Sequence, residues 1–135
     1  LLFKKESIIN SGDDTMTLEF TLPCISPSVN HYYGNRAIGK RVVRYITAEG
    51  KAFKEMVKKY IKIDSLIQGH LHVDIVLGFK NHRRSDIDNR LKGILDSLNK
   101  IVYEDDSQIT SLLVSKEISA SGSEYTKIKI TELKE

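Results

Sequence analysis

The sequence predicts an α+β fold: one domain with a mixed β-sheet and two main helices, in the order β-loop-α-β-α-β-β. Three observations carry this. Apolar and polar residues alternate near both ends of the chain, as in half-buried strands. Two central segments instead repeat apolar residues at three- and four-residue spacing, as in amphipathic helices. A chain of 135 residues, 40% hydrophobic and 29% charged, suits a single globular domain with its own core.

The elements follow in order. Residues 1–16 show no clear period and contain Ser11-Gly12-Asp13-Asp14, so they read as a mobile N-terminal extension to a domain over 17–135. Leu18, Phe20 and Leu22 alternate with polar residues and mark a strand over 17–23, closed by Pro23. Residues 24–46 hold Pro27, Gly34 and Gly39 among basic and aromatic residues, which makes them a long loop or an irregular hairpin. Thr47 can cap a helix running to about residue 63, with Phe53, Met56, Val57, Tyr60 and Ile61 on its buried face.

Gly69 precedes a strand over 70–80, and polar residues 81–85 form a turn. A second helix spans about 87–101, with Ile87, Leu91, Ile94, Leu95 and Leu98 as its apolar stripe. On its opposite side Asp88, Lys92, Asp96 and Asn99 fall within roughly 80° of arc, a narrow polar seam. The apolar faces of both helices are candidates for a subunit interface as well as for the core. Residues 109–118 and 124–132 read as strands around the Ser121-Gly122-Ser123 turn, paired as a hairpin.

Composition narrows the function. No window holds the roughly 18 apolar residues of a membrane span, and no signal pattern opens the sequence. The single Cys24 cannot form an internal disulfide and fits a reducing cytoplasm; it has no evident base partner for a thiol nucleophile. The net charge of +3 is unevenly spread. Between positions 36 and 62, Arg36, Lys40, Arg41, Arg44, Lys51, Lys54, Lys58, Lys59 and Lys62 face only Glu49 and Glu55. Nucleic acid is the natural partner of such a region, and a solvated lysine face is the bland alternative.

The chemistry concentrates in Arg83-Arg84-Ser85-Asp86-Ile87-Asp88-Asn89-Arg90-Leu91-Lys92 and the acidic knot Glu104-Asp105-Asp106. Two aspartates at i, i+2 can converge on one hard cation, which takes oxygen ligands. Lys92, four residues on, points along the same helix face. Ordinary helix chemistry competes with this reading: Asp86 can be an N-cap and Asp88 a first-turn acid. It leaves Arg83 and Arg84 unexplained, because cations meet a helix N-terminus unfavourably and a bound phosphate would relieve them. Asp88–Lys92 can likewise be a plain i, i+4 pair, and the knot a solvated turn. His70 and His72 lack a third ligand for zinc, while His31 and His82 read as nucleic-acid contacts or surface residues.

Asp86-x-Asp88-Asn89-x-x-Lys92 followed by Asp105-Asp106-x-Gln108 resembles the RusA family of Holliday junction resolvases. Upstream, Leu22-Pro23, Pro27-Ser28-x-Asn30-x-Tyr32-Tyr33 and Ala48-Glu49-Gly50 recur in the family's order, so the resemblance covers roughly 17–133. It implies a RusA-like domain and a homodimeric, Mg2+-dependent endonuclease of phage or prophage type, with Mn2+ as a substitute, that nicks four-way DNA junctions in recombination and repair. It implies catalytic roles for Asp86, Asp88, Asp106 and Lys92, with the three aspartates as metal ligands and Asp105 as the backup for Asp106. Arg83, Arg84, Asn89, Lys54, Lys58, Arg41 and Arg44 are the expected DNA contacts. Tyr32 and Tyr33 would stack on exposed bases or else be core tyrosines. Where relatives carry a longer arginine run before the first aspartate, this chain has Asn81-His82-Arg83-Arg84-Ser85. The rival readings are a non-cleaving junction-binding protein, a nuclease for other branched DNA, and an Asp-x-Asp phosphatase. The last expects Thr or Ser after the second acid, where Asn89 and Arg90 stand.

Overall fold

The computed structural model of the chain describes residues 7–10, 16–81 and 86–133. Along the chain run β1 (Ser7–Asn10), β2 (Met16–Leu22), α1 (Val29–Tyr32), β3 (Tyr33–Ile38), β4 (Arg41–Ile46), α2 (Ala48–Tyr60), β5 (Leu71–Phe79), α3 (Asp88–Leu98), a 3-10 turn (Asp106–Gln108), β6 (Ile109–Ile118) and β7 (Tyr125–Glu132). The expected α+β architecture is present. A five-stranded mixed sheet has the order β1-β2-β7-β5-β6, and β3 and β4 form a second sheet of their own. Ser7–Asn10, inside the segment set apart as an extension, pairs antiparallel with Met16–Glu19.

The alternation in the sequence becomes the two faces of the sheet. Leu18, Phe20 and Leu22 of β2, Leu71, Val73, Ile75 and Leu77 of β5, and Ile128 and Ile130 of β7 are buried on one face. Phe53 and Val57 of α2 and Ile94 and Leu98 of α3 complete the same core. The apolar stripes of both helices are therefore used inside the domain. The other sheet face is polar: Glu19, Asp74, Lys127 and Lys129 border a shallow depression there. Antiparallel sheets commonly present one such solvated face.

Two expectations are corrected. β6 and β7 do not form a hairpin, because β5 lies between them. The physical reason is the crossover: α3 connects β5 to β6, so the two strands run parallel, and β7 returns antiparallel on the other side of β5. β5, the most buried strand, thus gains a partner on each edge. The second helix also stops at Leu98 rather than near 101. Lys100 adopts a left-handed φ of 67°, which turns the chain so that Val102 and Tyr103 enter the core.

Residues 24–46 resolve into α1 and the β3–β4 hairpin, with register from Tyr33↔Ile46 to Ile38↔Arg41. Gly39 opens the two-residue loop with a φ of +62°, the left-handed start that tight hairpin turns favour. The hairpin leads into α2, whose N-cap is Thr47 as expected, with its hydroxyl accepting from the Gly50 amide at 3.1 Å.

Tyr32 ties the three helices together. It is 1% exposed, and its hydroxyl lies 2.5 Å from Ser97 Oγ of α3. Its ring stands edge-on to Phe53 of α2, centroids 6.4 Å apart. Such an approach requires glycine on the facing helix. A Cβ on Gly93 would lie 2.3 Å from Ser26 Oγ and 2.7 Å from Tyr32 Cδ2. Alanine in a helix is favoured over glycine by about 1 kcal/mol, whereas overpacking costs about 1–3 kcal/mol. Gly93→Ala is therefore expected to lower stability by about 1–2 kcal/mol in urea unfolding, with an unchanged m value. A variant as stable as the parent would show that Tyr32 and Ser26 can give way.

Candidate active site

α3 begins without a side-chain cap. Ile87 occupies the N-cap position, so Asp86 does not cap the helix, and its side chain is exposed just before it. Asp88 is exposed in the first turn and Asn89 is half-buried beside it. The capping explanation for Asp86 is thus not realised. Arg90, in the same turn, donates through Nη1 to the Ser26 carbonyl at 2.9 Å and anchors the helix start to the loop before α1. Arg83, Arg84 and His82 lie outside the described residues.

One turn further along the polar seam, Lys92 Nζ stands 3.2 Å from Asp96 Oδ2 and 5.6 Å from the centre of the Tyr33 ring. The Tyr33 hydroxyl donates to the same Asp96 oxygen. Arg44 of β4 covers the Tyr33 ring at 4.1 Å. Burial, then the bond to Asp96 and its charge, push the Tyr33 phenol well above its ordinary range. The cation is therefore held between a carboxylate and an aromatic face, each fixed from a different element.

The acidic knot supplies the facing wall, and its two aspartates separate cleanly. Asp105 caps the 3-10 turn: its Oδ2 accepts from the Ser107 amide at 3.0 Å. Those hydrogen bonds from Ser107 hold its carboxyl below the usual range. Gln108 closes the turn, accepting from the Glu104 and Asp105 amides at 2.9 and 3.2 Å. Its amide group donates to the Ile67 and Gly69 carbonyls at 3.0 and 2.9 Å, which bolts the turn to the chain just before β5. Asp106 instead lies within the field of Asp96 and Lys92. Partial burial, then the charges of Asp96 and Asp105, raise its carboxyl, and Lys92 opposes them. Beside it Leu95, Ile109, Thr110, Ser111 and Leu112 line a shallow cavity of about 270 Å³.

The sequence matches known proteins. The family model for Endodeoxyribonuclease RusA matches residues 24–131. The chain belongs to the RusA endodeoxyribonuclease family. One RusA relative, the crossover junction endodeoxyribonuclease rusA of Enterobacteria phage HK97, is 34% identical over 119 residues, covering 85% of this chain and 94% of that protein. A second match is local: 33 residues, 24% of the chain, are 52% identical to the uncharacterized protein YqaN of Bacillus subtilis strain 168 and cover 23% of it.

Within this RusA domain the sequence-predicted residues fall into groups. Asp106 lies within electrostatic reach of Lys92, and the Tyr33 ring stands between Lys92 and Arg44. Asp86 and Asp88 stand exposed at the start of α3. Among the described residues, no three His, Cys, Asp or Glu side chains already stand close enough to share one ion. Lys54 is half-buried on α2, and Lys58 pairs with Glu55 at 3.3 Å. Arg41 is exposed at the far end of the β3–β4 hairpin. Tyr32 takes the core alternative rather than the base-stacking one: its buried ring is closed to bases. His72 does not join His70 in a zinc pair. Its ring sits 2.6 Å from Ser111 Oγ and 3.0 Å from Asp74 Oδ1 on the open sheet face. The residue missed as a site member is Asp96. Its spacing on the polar seam was the available signal, but its partner Tyr33 lies 63 residues away.

The raised Asp106 carboxyl gives a pH test. A carboxyl raised on folding contributes stability that is present below the unfolded pKa and lost as pH rises through the folded one. Removing the charge removes that loss. Asp106→Asn, in chelator, is expected to be more stable than the parent protein near about pH 7, and the margin should close below about pH 4. A margin that persisted in acid would assign the gain to something other than charge.

Proposed function

We propose that this chain resolves four-way DNA junctions by metal-assisted hydrolysis of one phosphodiester in each of two opposed strands. Membership of the RusA family supports the substrate class. The chemistry is supported by the Lys92–Asp96 pair on α3, with Asp106 of the following 3-10 turn within its electrostatic reach.

Asp86, Asp88 and Asp106 are the residues that would hold the cation, Mg2+ with Mn2+ as its substitute. Their chemistry fits, because hard cations take carboxylate oxygens. Asp86 is not consumed by capping, and Asp106 carries an unfavourable acidic neighbourhood that a cation relieves. When bound, such an ion polarises the phosphoryl oxygen and lowers the pKa of the attacking water. Lys92, steered by Asp96 and the Tyr33 ring, opposes the negative charge that develops on the phosphoryl oxygens. Arg44 stands at the edge of the same site, where it can take a flanking phosphate. Arg83, Arg84, Arg41, Asn89, Lys54 and Lys58 are the further proposed DNA contacts, with residues 17–135 as the catalytic unit in a bacterial or phage-infected cytoplasm. Contacts of this kind make binding fall steeply with salt.

A junction is approximately two-fold symmetric, so a homodimer places one site at each opposed strand. With the helix faces committed to the core, β6 is the candidate surface among the described residues. It lies at the sheet edge and exposes Leu112 and Leu113. An open apolar edge of this kind is a ready pairing surface for a second copy.

The deciding measurement is cleavage of labelled four-way, flap and linear DNA with and without Mg2+, mapping the nicks. Paired nicks in the four-way substrate alone are expected; equal cutting of flaps would make the protein a general branched-DNA nuclease. Asp88→Asn should abolish cleavage and leave junction binding intact, and retained cleavage would remove Asp88 from the site. Lys92→Ala should slow cleavage more than it weakens binding; a loss confined to binding would reduce Lys92 to a phosphate clamp.

A further inference from the structure

The β3–β4 hairpin is built unlike the rest of the domain. Its strands pair only with each other, from Tyr33↔Ile46 at the root to Ile38↔Arg41 at the tip. Residues 33–46 include Arg36, Lys40, Arg41 and Arg44 and no Asp or Glu. Yet the tip also exposes apolar side chains: Ile38 is 53% and Val42 72% accessible. Paired residues share a face, so Ile38 lies with Arg41 on one side of the ribbon and Val42 with Ala37 on the other. Neither side chain belongs to the core.

The root of the ribbon is in the candidate site, through Tyr33 on Asp96 and Arg44 on Tyr33. Five strand steps carry the tip roughly 17 Å outward. The ribbon thus begins at the chemistry and ends in a cationic finger with a greasy tip. Arginines answer phosphates, but Ile38 and Val42 have nothing to gain from a phosphate backbone. Their counterpart in DNA is the face or edge of a base. In a continuous duplex, reaching it requires unstacking, which costs a few kcal/mol per step. At a branch point the stack is already interrupted, and most of that cost is absent.

We propose that the β3–β4 hairpin enters the junction tip-first, with its arginines on flanking phosphates and Ile38 and Val42 against unstacked bases at the branch point. It is then the element that distinguishes branched from linear DNA. This rests on the junction reading above and extends it to a named surface.

The test uses Ile38→Ser/Val42→Ser, two exposed positions whose change leaves the core untouched. Binding to a four-way junction and to linear duplex is compared in chelator, with 2-aminopurine at the branch as a reporter of unstacking. The unaltered protein should prefer the junction and brighten the reporter. The double variant should lose about tenfold of that preference, keep its affinity for linear DNA and leave the reporter dark. A junction with mismatched pairs at the branch should restore its binding. A double variant with full preference and full brightening would overturn the proposal. So would an equal loss on junction and linear DNA, which would make the tip a general contact. If the unaltered protein showed no preference for junctions, the junction reading itself would fall, whatever the tip does.

Discussion

One buried ring governs where the reactive groups stand. Tyr32 is inserted where α1, α2 and α3 meet, close against Gly50 and Gly93 and bonded to Ser97. Its position fixes its neighbour Tyr33, which must then leave the core and start β3. From there the Tyr33 hydroxyl reaches Asp96, its ring meets Lys92, and Arg44 covers it. A packing requirement, that two glycines let a tyrosine approach two helices, is thus converted into the placement of a cation beside a carboxylate. Surface ion pairs of the Lys92–Asp96 kind are worth about 0–1 kcal/mol on their own. Here the pair is held in place by the core rather than holding the core together.

The second constraint is the division of labour within the acidic knot. Adjacent aspartates are interchangeable in composition but not in the fold. Asp105 gives its carboxylate to the turn, and Gln108 ties that turn to Ile67 and Gly69. Asp106 lies instead in the field of Asp96 and Lys92, and partial burial with the acidic neighbours raises its carboxyl. Sites that do chemistry commonly carry such unfavourable charge, because the group that relieves it is the ligand.

Most of the fold was legible because period and burial coincide. Leu18, Phe20 and Leu22 are buried in alternation along β2 as the pattern placed them, and Thr47 caps α2 as its type and position indicate. What was not legible depends on contacts between distant segments. Nothing local to residues 109–132 says that β5 will separate the two strands; that follows from β5 needing two partners and from the crossover through α3. α3 ends at Leu98, short of the expected 101, because the chain turns at Lys100 and brings Val102 and Tyr103 into the core. Within the site, Asp88 and Lys92 could be seen on one seam by counting. Assigning Asp96 required Tyr33, and separating Asp105 from Asp106 required the hydrogen bonds of Gln108.

The self-contained second sheet has an evolutionary consequence. Because β3 and β4 pair with no strand of the main sheet, the tip between Ile38 and Arg41, beyond the Tyr33 and Arg44 contact at the root, can be lengthened, shortened or replaced without breaking a hydrogen bond of the five-stranded sheet. Longer loops add little entropic penalty, of the order of 0.6 kcal/mol per doubling. Natural selection can therefore retune the tip of this appendage while the residues around Asp106 stay under separate constraint. Two parts of one chain are thus free to diverge at different rates.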